Sequence, residues 1–277
     1  MVSVAVPGAR GAFSHLAAAE VFANADFVFF PTFAEVLNAL RTNKTDRAVL
    51  PVENSAAGRV MDVHNLLPKA QVHIVAEHFL RINHHLLGTK DAELKDVKTV
   101  VSHEQALAQC SVFLTNAGLK TRVCANTALA AKEVAQKADK SLAALASEEA
   151  ARQNGLKILQ KNVQNSAENR TRFLILSRTA VSCPQTARVI TSLVFFVKNE
   201  PAALYHALGA FALNGINLLR LESYIDSKNF TSAGFFADIA VHVDAEKAQN
   251  ALKLLKNLTQ SLQILGTYPA SSLRPEI

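Results

Sequence analysis

Along the first two thirds of this chain the apolar positions switch repeatedly between strand-like runs and helix-like spacing, so the two kinds of segment alternate. That alternation predicts an α/β architecture with largely parallel pairing. Val2–Val6 reads as a strand entering the turn Gly8-Ala9-Arg10-Gly11, with a helix from about Ser14. Thr32-Phe33-Ala34-Glu35 has the form of a capping box opening a helix to about Leu40, and Arg47–Val52 is the next strand. Val72–Leu87 reads as extended chain leading from one lobe into another. Thr99–Val101, Lys120–Ala125 and Ser141–Ala146 read as strands, each followed by a helix. Ala106, Cys110, Phe113, Leu114 and Ala117 are spaced as on one helical face, which puts Ser102-His103 where a strand runs into a helix N-terminus.

The stretch Thr179–Thr191, containing Pro184, has no clear period and predicts a linker, giving a first domain over 1–180, a linker at 181–191 and a second domain over 192–277. In that second part Leu193–Val197 is a strand, Leu204, Leu208, Phe211 and Ala212 mark a helix, and Ile216–Tyr224 is a strand. Phe235, Ala237, Ile239, Val241 and Val243 alternate; Ala248, Ala251, Leu252, Leu255 and Leu258 are helical; Leu262–Tyr268 closes the unit. The order βαββαβ in about eighty residues is the ferredoxin-like arrangement.

Composition narrows the function classes. With 277 residues, 49% hydrophobic and 19% charged, the chain can bury a sizeable core, which excludes a disordered or fibrous protein. The net charge is +6, but Lys and Arg are scattered singly without interleaved aromatics, so no nucleic-acid partner is expected. A mild positive field suits a small anionic substrate. No charged leader precedes an apolar stretch and no apolar run is long enough to span a bilayer, so a soluble, cytoplasmic protein without a membrane partner is expected. Cys110, Cys124 and Cys183 lack metal-ligand spacing and read as reduced thiols. Asn43, Asn169, Asn229 and Asn257 begin Asn-x-Thr matches that, without secretion, are coincidences.

Candidate chemistry collects at strand-to-helix junctions. The turn Gly8–Gly11 offers free amides and a positive helix end that suit a carboxylate or phosphate, although glycine also serves there simply to allow positive φ. Glu53-Asn54-Ser55 follows an apolar strand, where α/β folds place ligands, or else caps a helix. Ser102 and His103 are adjacent, so their side chains diverge and cannot form a nucleophile–base pair. His103-Glu104 lacks a second His, since position 107 is Leu107, and His84-His85 reads as structural rather than metal-binding. What remains is a hydroxyl at a helix start with Gln109 two turns along, and Asn126-Thr127 at the next junction. Thr171, within the strand-like Thr171–Ser177, reads on its own as an ordinary β-branched strand residue.

Three runs carry a family resemblance. Val52-Glu53-Asn54-Ser55-Ala56-Ala57-Gly58-Arg59-Val60, Val101-Ser102-His103-Glu104-Gln105-Ala106-Leu107-Ala108-Gln109-Cys110, and the region from Ala150-Ala151-Arg152-Gln153-Asn154-Gly155-Leu156 to Asn169-Arg170-Thr171-Arg172-Phe173 resemble, in order, the motifs of the prephenate dehydratases. The C-terminal unit resembles the ACT domain that follows the catalytic domain in that family. Ala9 stands where the family usually has Pro, and Asn126 where it usually has Ser. The resemblance implies two α/β lobes around a cleft, as in periplasmic type II binding proteins, divided as 1–76 plus 160–180 and 77–159. It implies conversion of prephenate to phenylpyruvate, water and carbon dioxide without cofactor or metal. Thr171 is then the catalytic residue and Glu53 the reserve candidate as proton donor. Asn54, Ser55, Ser102, Gln109, Asn126 and Thr127 would bind the substrate, with Arg172 and Phe173 completing the motif, the former as a site residue or an ion-pair partner and the latter as cleft wall.

The same resemblance implies an L-phenylalanine effector site from Ala202, Ala203 and Leu204, with Asn214, Asn217, Glu222 and Ser223, in a homodimer or dimer of dimers. Ala202 replaces a family Gly, and Tyr224-Ile225 replace Arg-Pro, so weak or altered phenylalanine response is expected. Arogenate dehydratase is the neighbouring alternative, and a non-catalytic small-molecule sensing module the alternative of another class.

Overall fold

The computed structural model describes residues 1–185, 188–225 and 233–274, with positions 224 and 225 described by backbone alone. The chain opens with β1 (Ser3–Pro7), α1 (Phe13–Val21), β2 (Asp26–Phe30), α2 (Phe33–Arg41), β3 (Arg47–Asn54), β4 (Gly58–Arg59), α3 (Met61–Leu66) and β5 (His73–Arg81). It crosses into a second sheet with β6 (His85–Gly88), β7 (Thr99–Ser102), α4 (Glu104–Gln109), α5 (Ser111–Asn116), β8 (Lys120–Val123), α6 (Thr127–Lys137), β9 (Leu142–Ala146), α7 (Glu148–Asn154) and β10 (Lys157–Gln160), and returns as β11 (Arg170–Ser177). The two sheets have orders β2-β1-β3-β11-β5 and β10-β6-β9-β7-β8.

Local sequence explains the helix starts that matter for the cleft. Thr32 Oγ1 accepts from the Glu35 amide at 3.2 Å, Asn126 Oδ1 from the Leu129 amide at 2.8 Å, and Ser147 Oγ from the Ala150 amide at 3.1 Å. Three expectations need correction. Pairing is mixed rather than largely parallel, because β11 lies antiparallel to both β3 and β5. The outward crossing lies between Arg81 and His85, not near 76, because β5 keeps its pairing as far as Arg170↔Arg81. The helix expected across Ala106–Ala117 is two, α4 and α5, since Cys110 leaves helical geometry at φ −115° while the apolar spacing runs on undisturbed.

The remaining chain is β12 (Val189–Val197), α8 (Ala203–Ala212), β13 (Leu218–Ile225), β14 (Ala233–Ile239), α9 (Glu246–Leu258) and β15 (Thr259–Pro269), in sheet order β13-β14-β12-β15. One face of this ferredoxin-like sheet is covered by α8 and α9 through Phe195, Ala207, Phe211, Ala248 and Leu255. Its other face joins the first lobe: Ile190, Val194, Phe236, Leu265 and Tyr268 share one apolar core with Leu40, Leu50, Leu67, Ile74 and Leu174. At this junction β15 passes so close over β5 that a Cβ on Gly266 would lie 2.1 Å from the Ile74 carbonyl oxygen. Among the described residues no helix is long and apolar enough to cross a membrane.

Ala202, the N-cap of α8, has φ 62°, a left-handed conformation that disfavours any residue with a Cβ. A family preference for Gly there thus has a backbone reason as well as a ligand-approach reason. Relieving ~1–2 kcal/mol of local strain, less the ~0.4–1 kcal/mol by which Gly loosens the unfolded chain, Ala202→Gly is expected to stabilise the protein by about 0.5–1 kcal/mol. Urea denaturation of the two proteins checks this: a less stable variant refutes it.

Candidate active site

A cavity of about 290 Å³ lies between the two lobes where the strands of both sheets end. Gly8, Phe13, Ser14 and Asn54 reach it from the first lobe; His103, Gln109, Asn126 and Thr127 from the second; His84, Thr171 and Phe173 from the crossing region. Among the described lining residues there is no lysine, arginine or carboxylate. Two helix N-termini, the positive ends of their dipoles, lie at the cavity wall: α1 behind the Gly8 turn and α6 behind Asn126-Thr127. The lobes meet closely at Gly11, whose φ of 86° and 3.1 Å approach of a Cβ position to the Ala150 Cα both disfavour a side chain; Ser147 Oγ donates to its carbonyl at 2.7 Å.

Thr171 and Asn54 form one rung of the β3·β11 ladder. The Asn54 Oδ1 accepts from the Ala56 and Ala57 amides at 3.0 and 2.8 Å, which fixes the amide's orientation and turns Nδ2 towards Thr171. Nδ2 donates to Thr171 Oγ1 at 2.9 Å and to Asn169 Oδ1 at 2.7 Å. Because Oγ1 is occupied as an acceptor, the Thr171 hydroxyl proton is left for a group in the cavity. Gln109 Nε2 donates to Asn54 Oδ1 at 3.1 Å, while its Oε1 accepts from Asn169 Nδ2 at 2.9 Å and contacts His84 Nε2 at 3.1 Å. Amide groups from both lobes and from the return segment thus meet beside one hydroxyl.

Burial holds the His84 imidazole well below its ordinary 6.5, at about 4, so it is neutral and donates through Nε2 to Gln109. His15, His64 and His85 are lowered for the same first reason. Between pH 6.5 and 4 the unfolded chain binds a proton that folded His84 refuses, so stability falls as pH falls through this window, by about 3 kcal/mol from this residue alone at its lower end. The variant His84→Asn is expected to flatten that part of the stability–pH curve, measured by urea midpoints at pH 7, 5.5 and 4.5; an unchanged slope would sink the assignment.

Of the residues singled out in the sequence, Thr171, Asn54, Gln109, Asn126, Thr127 and Phe173 line the cavity. Four others do not. Ser102 is fully buried and its hydroxyl donates to the Leu145 carbonyl at 2.7 Å, joining β7 to β9. Ser55 Oγ donates to the Glu168 carbonyl and accepts from the Arg170 amide, both at 2.9 Å, fastening β3 to the returning chain. Glu53 lies on the opposite face of β3 from Asn54 and pairs with Arg220 at 3.1 Å, so it is not a proton donor in this cavity. Arg172 likewise faces away: it is 3% exposed and its guanidinium donates to Glu77 at 2.7 Å, Asp238 at 2.6 Å and the Tyr268 hydroxyl at 3.1 Å. Burial would raise the Asp238 carboxyl, but Arg172, Ser192 and Arg220 outweigh it and hold the group below its usual range.

The effector set is also divided within one chain. Ala202, Ala203 and Leu204 start α8, whereas Asn214 follows its end, ten helical residues or about 15 Å away. Asn214 donates to the Ala210 carbonyl, the Asn217 carbonyl accepts from the Ala240 amide, and Glu222 is engaged by Arg59 and Arg220. Ser223 gives its carbonyl to Arg59. His84 and Asn169 join the Gln109 network, although the sequence marks His84 only as structural and Asn169 only as part of the motif run, without a role. The position of Asn169 at the head of a resembling motif was the available signal.

A two-lobed α/β body with an apolar-walled cleft that carries hydroxyls and side-chain amides, and with a ferredoxin-like unit packed on its back, defines a small-molecule enzyme with an appended domain. The prephenate dehydratase family model matches residues 4–181. A Komagataeibacter europaeus protein named bifunctional N-acyl-homoserine lactone acylase/prephenate dehydratase is 40% identical, covering 98% of this chain and 97% of that relative. Arogenate dehydratase/prephenate dehydratase 2 of Arabidopsis thaliana is 38% identical over 98% of this chain and 74% of the relative. The crystal structure of the Arthrobacter aurescens prephenate dehydratase in complex with L-Phe superposes with a TM-score of 0.92 at 25% identity, covering 100% of this chain and 92% of that one. The chain belongs to the prephenate dehydratase family.

Proposed function

We propose that this chain is a carbon–oxygen lyase that converts prephenate to phenylpyruvate, water and carbon dioxide in the route to L-phenylalanine. The observation that carries this reading is the Thr171 hydroxyl, held as an acceptor by Asn54 with its proton free for the cavity. The ring C–O bond breaks as the ring carboxylate leaves as carbon dioxide, its electron pair entering the ring. Aromatisation drives the step; the departing oxygen takes one proton from solvent to become water, and as the C–O bond breaks it needs a hydrogen bond. Thr171 supplies that bond; such help is worth ~10²–10⁴-fold, or about 3–5 kcal/mol. The substrate's carboxylates and side-chain carbonyl face the helix N-termini and the amides of Asn126 and Gln109. An aromatic-product assay of purified protein with prephenate tests this, and no turnover refutes it.

Arogenate, whose ammonium replaces the side-chain carbonyl, is the second substrate to assay, since relatives carry both names. The lactone-acylase name of the Komagataeibacter relative motivates a third arm with an acyl-homoserine lactone. That reaction calls for a nucleophile held by a base, and Thr171 Oγ1 is held instead by an amide donor, which favours the dehydratase reading.

For the C-terminal unit the reading is an ACT domain that binds L-phenylalanine between two copies in a cytoplasmic homodimer or dimer of dimers. The Arthrobacter structure holds L-Phe. Within one chain the expected effector residues are split between the two ends of α8, so a second copy is needed to complete the set, and Tyr205 and Leu213 on and beside α8 are 76% and 84% exposed. Light scattering with and without phenylalanine checks this; a monomer in both refutes it.

A further inference from the structure

We propose that Glu53, Arg172, Arg220 and Asp238 form a crossed charge quartet that positions the Asn54–Thr171 pair, making the ferredoxin-like sheet part of the active site's support. The proposal rests on the dehydratase reading for its kinetic consequence. Its geometry comes from two ladders. In β3·β11 the rung next to Asn54↔Thr171 is Glu53↔Arg172. Successive strand residues face opposite sides, so the first rung looks into the cleft and the second onto the ferredoxin-like sheet. In that sheet Arg220↔Asp238 is itself a rung between β13 and β14.

The two charged rungs lie face to face. Arg172 Nη1 meets Asp238 Oδ2 at 2.6 Å, and Arg220 Nη1 meets Glu53 Oε2 at 3.1 Å. Opposite charges therefore adjoin both along each rung and between the sheets, an arrangement that a slip of either sheet by one residue would turn to repulsion or leave unpaired. The β3·β11 register shifts between Arg172 and Phe173, beside the charged rung and one rung away from the hydroxyl, and such irregularities re-aim the side chains near them. What holds Arg172 and Glu53 consequently sets where Thr171 and Asn54 point.

The two halves of the quartet differ. The Arg172–Asp238 half is fully buried and tied into Glu77, Ser192 and Tyr268, so its loss endangers folding. The Arg220–Glu53 half is softer: Arg220 is buried above the Phe236 ring but none of its guanidinium nitrogens makes a well-aligned hydrogen bond, and the Glu53 side chain is 41% exposed. Arg59, paired with Glu53 across the β3·β4 hairpin, adds a contact to Glu222 at 3.6 Å on the same side. Substitutions in this softer half can therefore separate aim from stability.

The test compares Glu53→Gln, Arg220→Gln and their double variant in the full chain. Each single variant is expected to lower kcat about fivefold, with KM within about twofold, an unchanged shape of the pH–rate profile and a melting temperature within a few degrees of wild type. The double should be no slower than the slower single, because both remove the same contact, and Arg220→Lys should recover part of the loss. Unchanged kcat in the singles, a loss that tracks melting temperature, or a double equal to the product of the singles would overturn the proposal. A second arm needs no substrate: the Asn54 side-chain amide resonance, assigned by its disappearance in Asn54→Ala, should shift in both singles, and an unmoved resonance also overturns it. If wild type turns over neither prephenate nor arogenate, the dehydratase reading fails while the resonance still decides the quartet.

Discussion

Thr171→Ala is expected to reduce turnover of prephenate by about a hundredfold or more while KM stays within about twofold, because the lost hydrogen bond acts on the departing oxygen rather than on the bound ground state. The fold should survive, since only a hydroxyl and one methyl beside the cavity are removed and Asn54 Nδ2 retains Asn169 Oδ1 and the Arg170 carbonyl as acceptors. Thr171→Ser supplies the control: it restores the hydroxyl and should recover most of the rate. Steady-state kinetics of the three proteins decide the matter. Near-normal kcat in the alanine variant would mean that another donor serves the leaving group.

Gly266→Ala is expected to cost about 4 kcal/mol or more, or to prevent folding, which is a large effect for one methyl group. Its Cβ would stand 2.1 Å from the Ile74 oxygen and 3.0 Å from the Ile74 carbon and nitrogen, all backbone atoms of β5. A side chain could swing aside, but β5 is fixed by its ladder to β11, so relief requires the ferredoxin-like sheet to lift off. That movement would also pull Tyr268 and Asp238 from Arg172. Urea denaturation, or the soluble yield if the variant does not fold, gives the measurement. A loss under about 1 kcal/mol would show that the two sheets are not held at this separation.

The order of elements was legible because spacing of apolar residues changes with each one, and the ferredoxin-like order could be read strand by strand. The crossing point was not: β5 carries apolar pairs on both sides of residue 76, Ile74-Val75 and Phe79-Leu80, and nothing in composition marks where a strand leaves its sheet. Nor was the break at Cys110, which keeps the apolar face in line while the backbone turns. At the site, runs such as Glu53-Asn54-Ser55 and Thr171-Arg172-Phe173 mark the neighbourhood, yet only alternate residues of a strand face the cavity. Asn54, Thr171 and Phe173 do; Glu53 and Arg172 face the other sheet, and Ser55 spends its hydroxyl on the backbone. Arg220, Asp238 and Glu77 lie far away in sequence, and no local pattern shows that they converge behind Thr171.

The strand that carries Thr171 is the last of its sheet to be made, yet it lies in the interior, between β3 and β5. Asn54 and Thr171, which share a hydrogen bond, are 117 residues apart. A chain emerging from the ribosome N-terminus first therefore holds β3 and β5 with facing edges empty while the whole second lobe is synthesised. Closing so long a loop is slow, and unpaired apolar edges invite pairing with other chains. A nascent chain halted before Arg170 would present a gap of just one strand's width. The segment that fills it brings the reactive hydroxyl, so completion of the sheet and arrival of the chemistry are one event in synthesis.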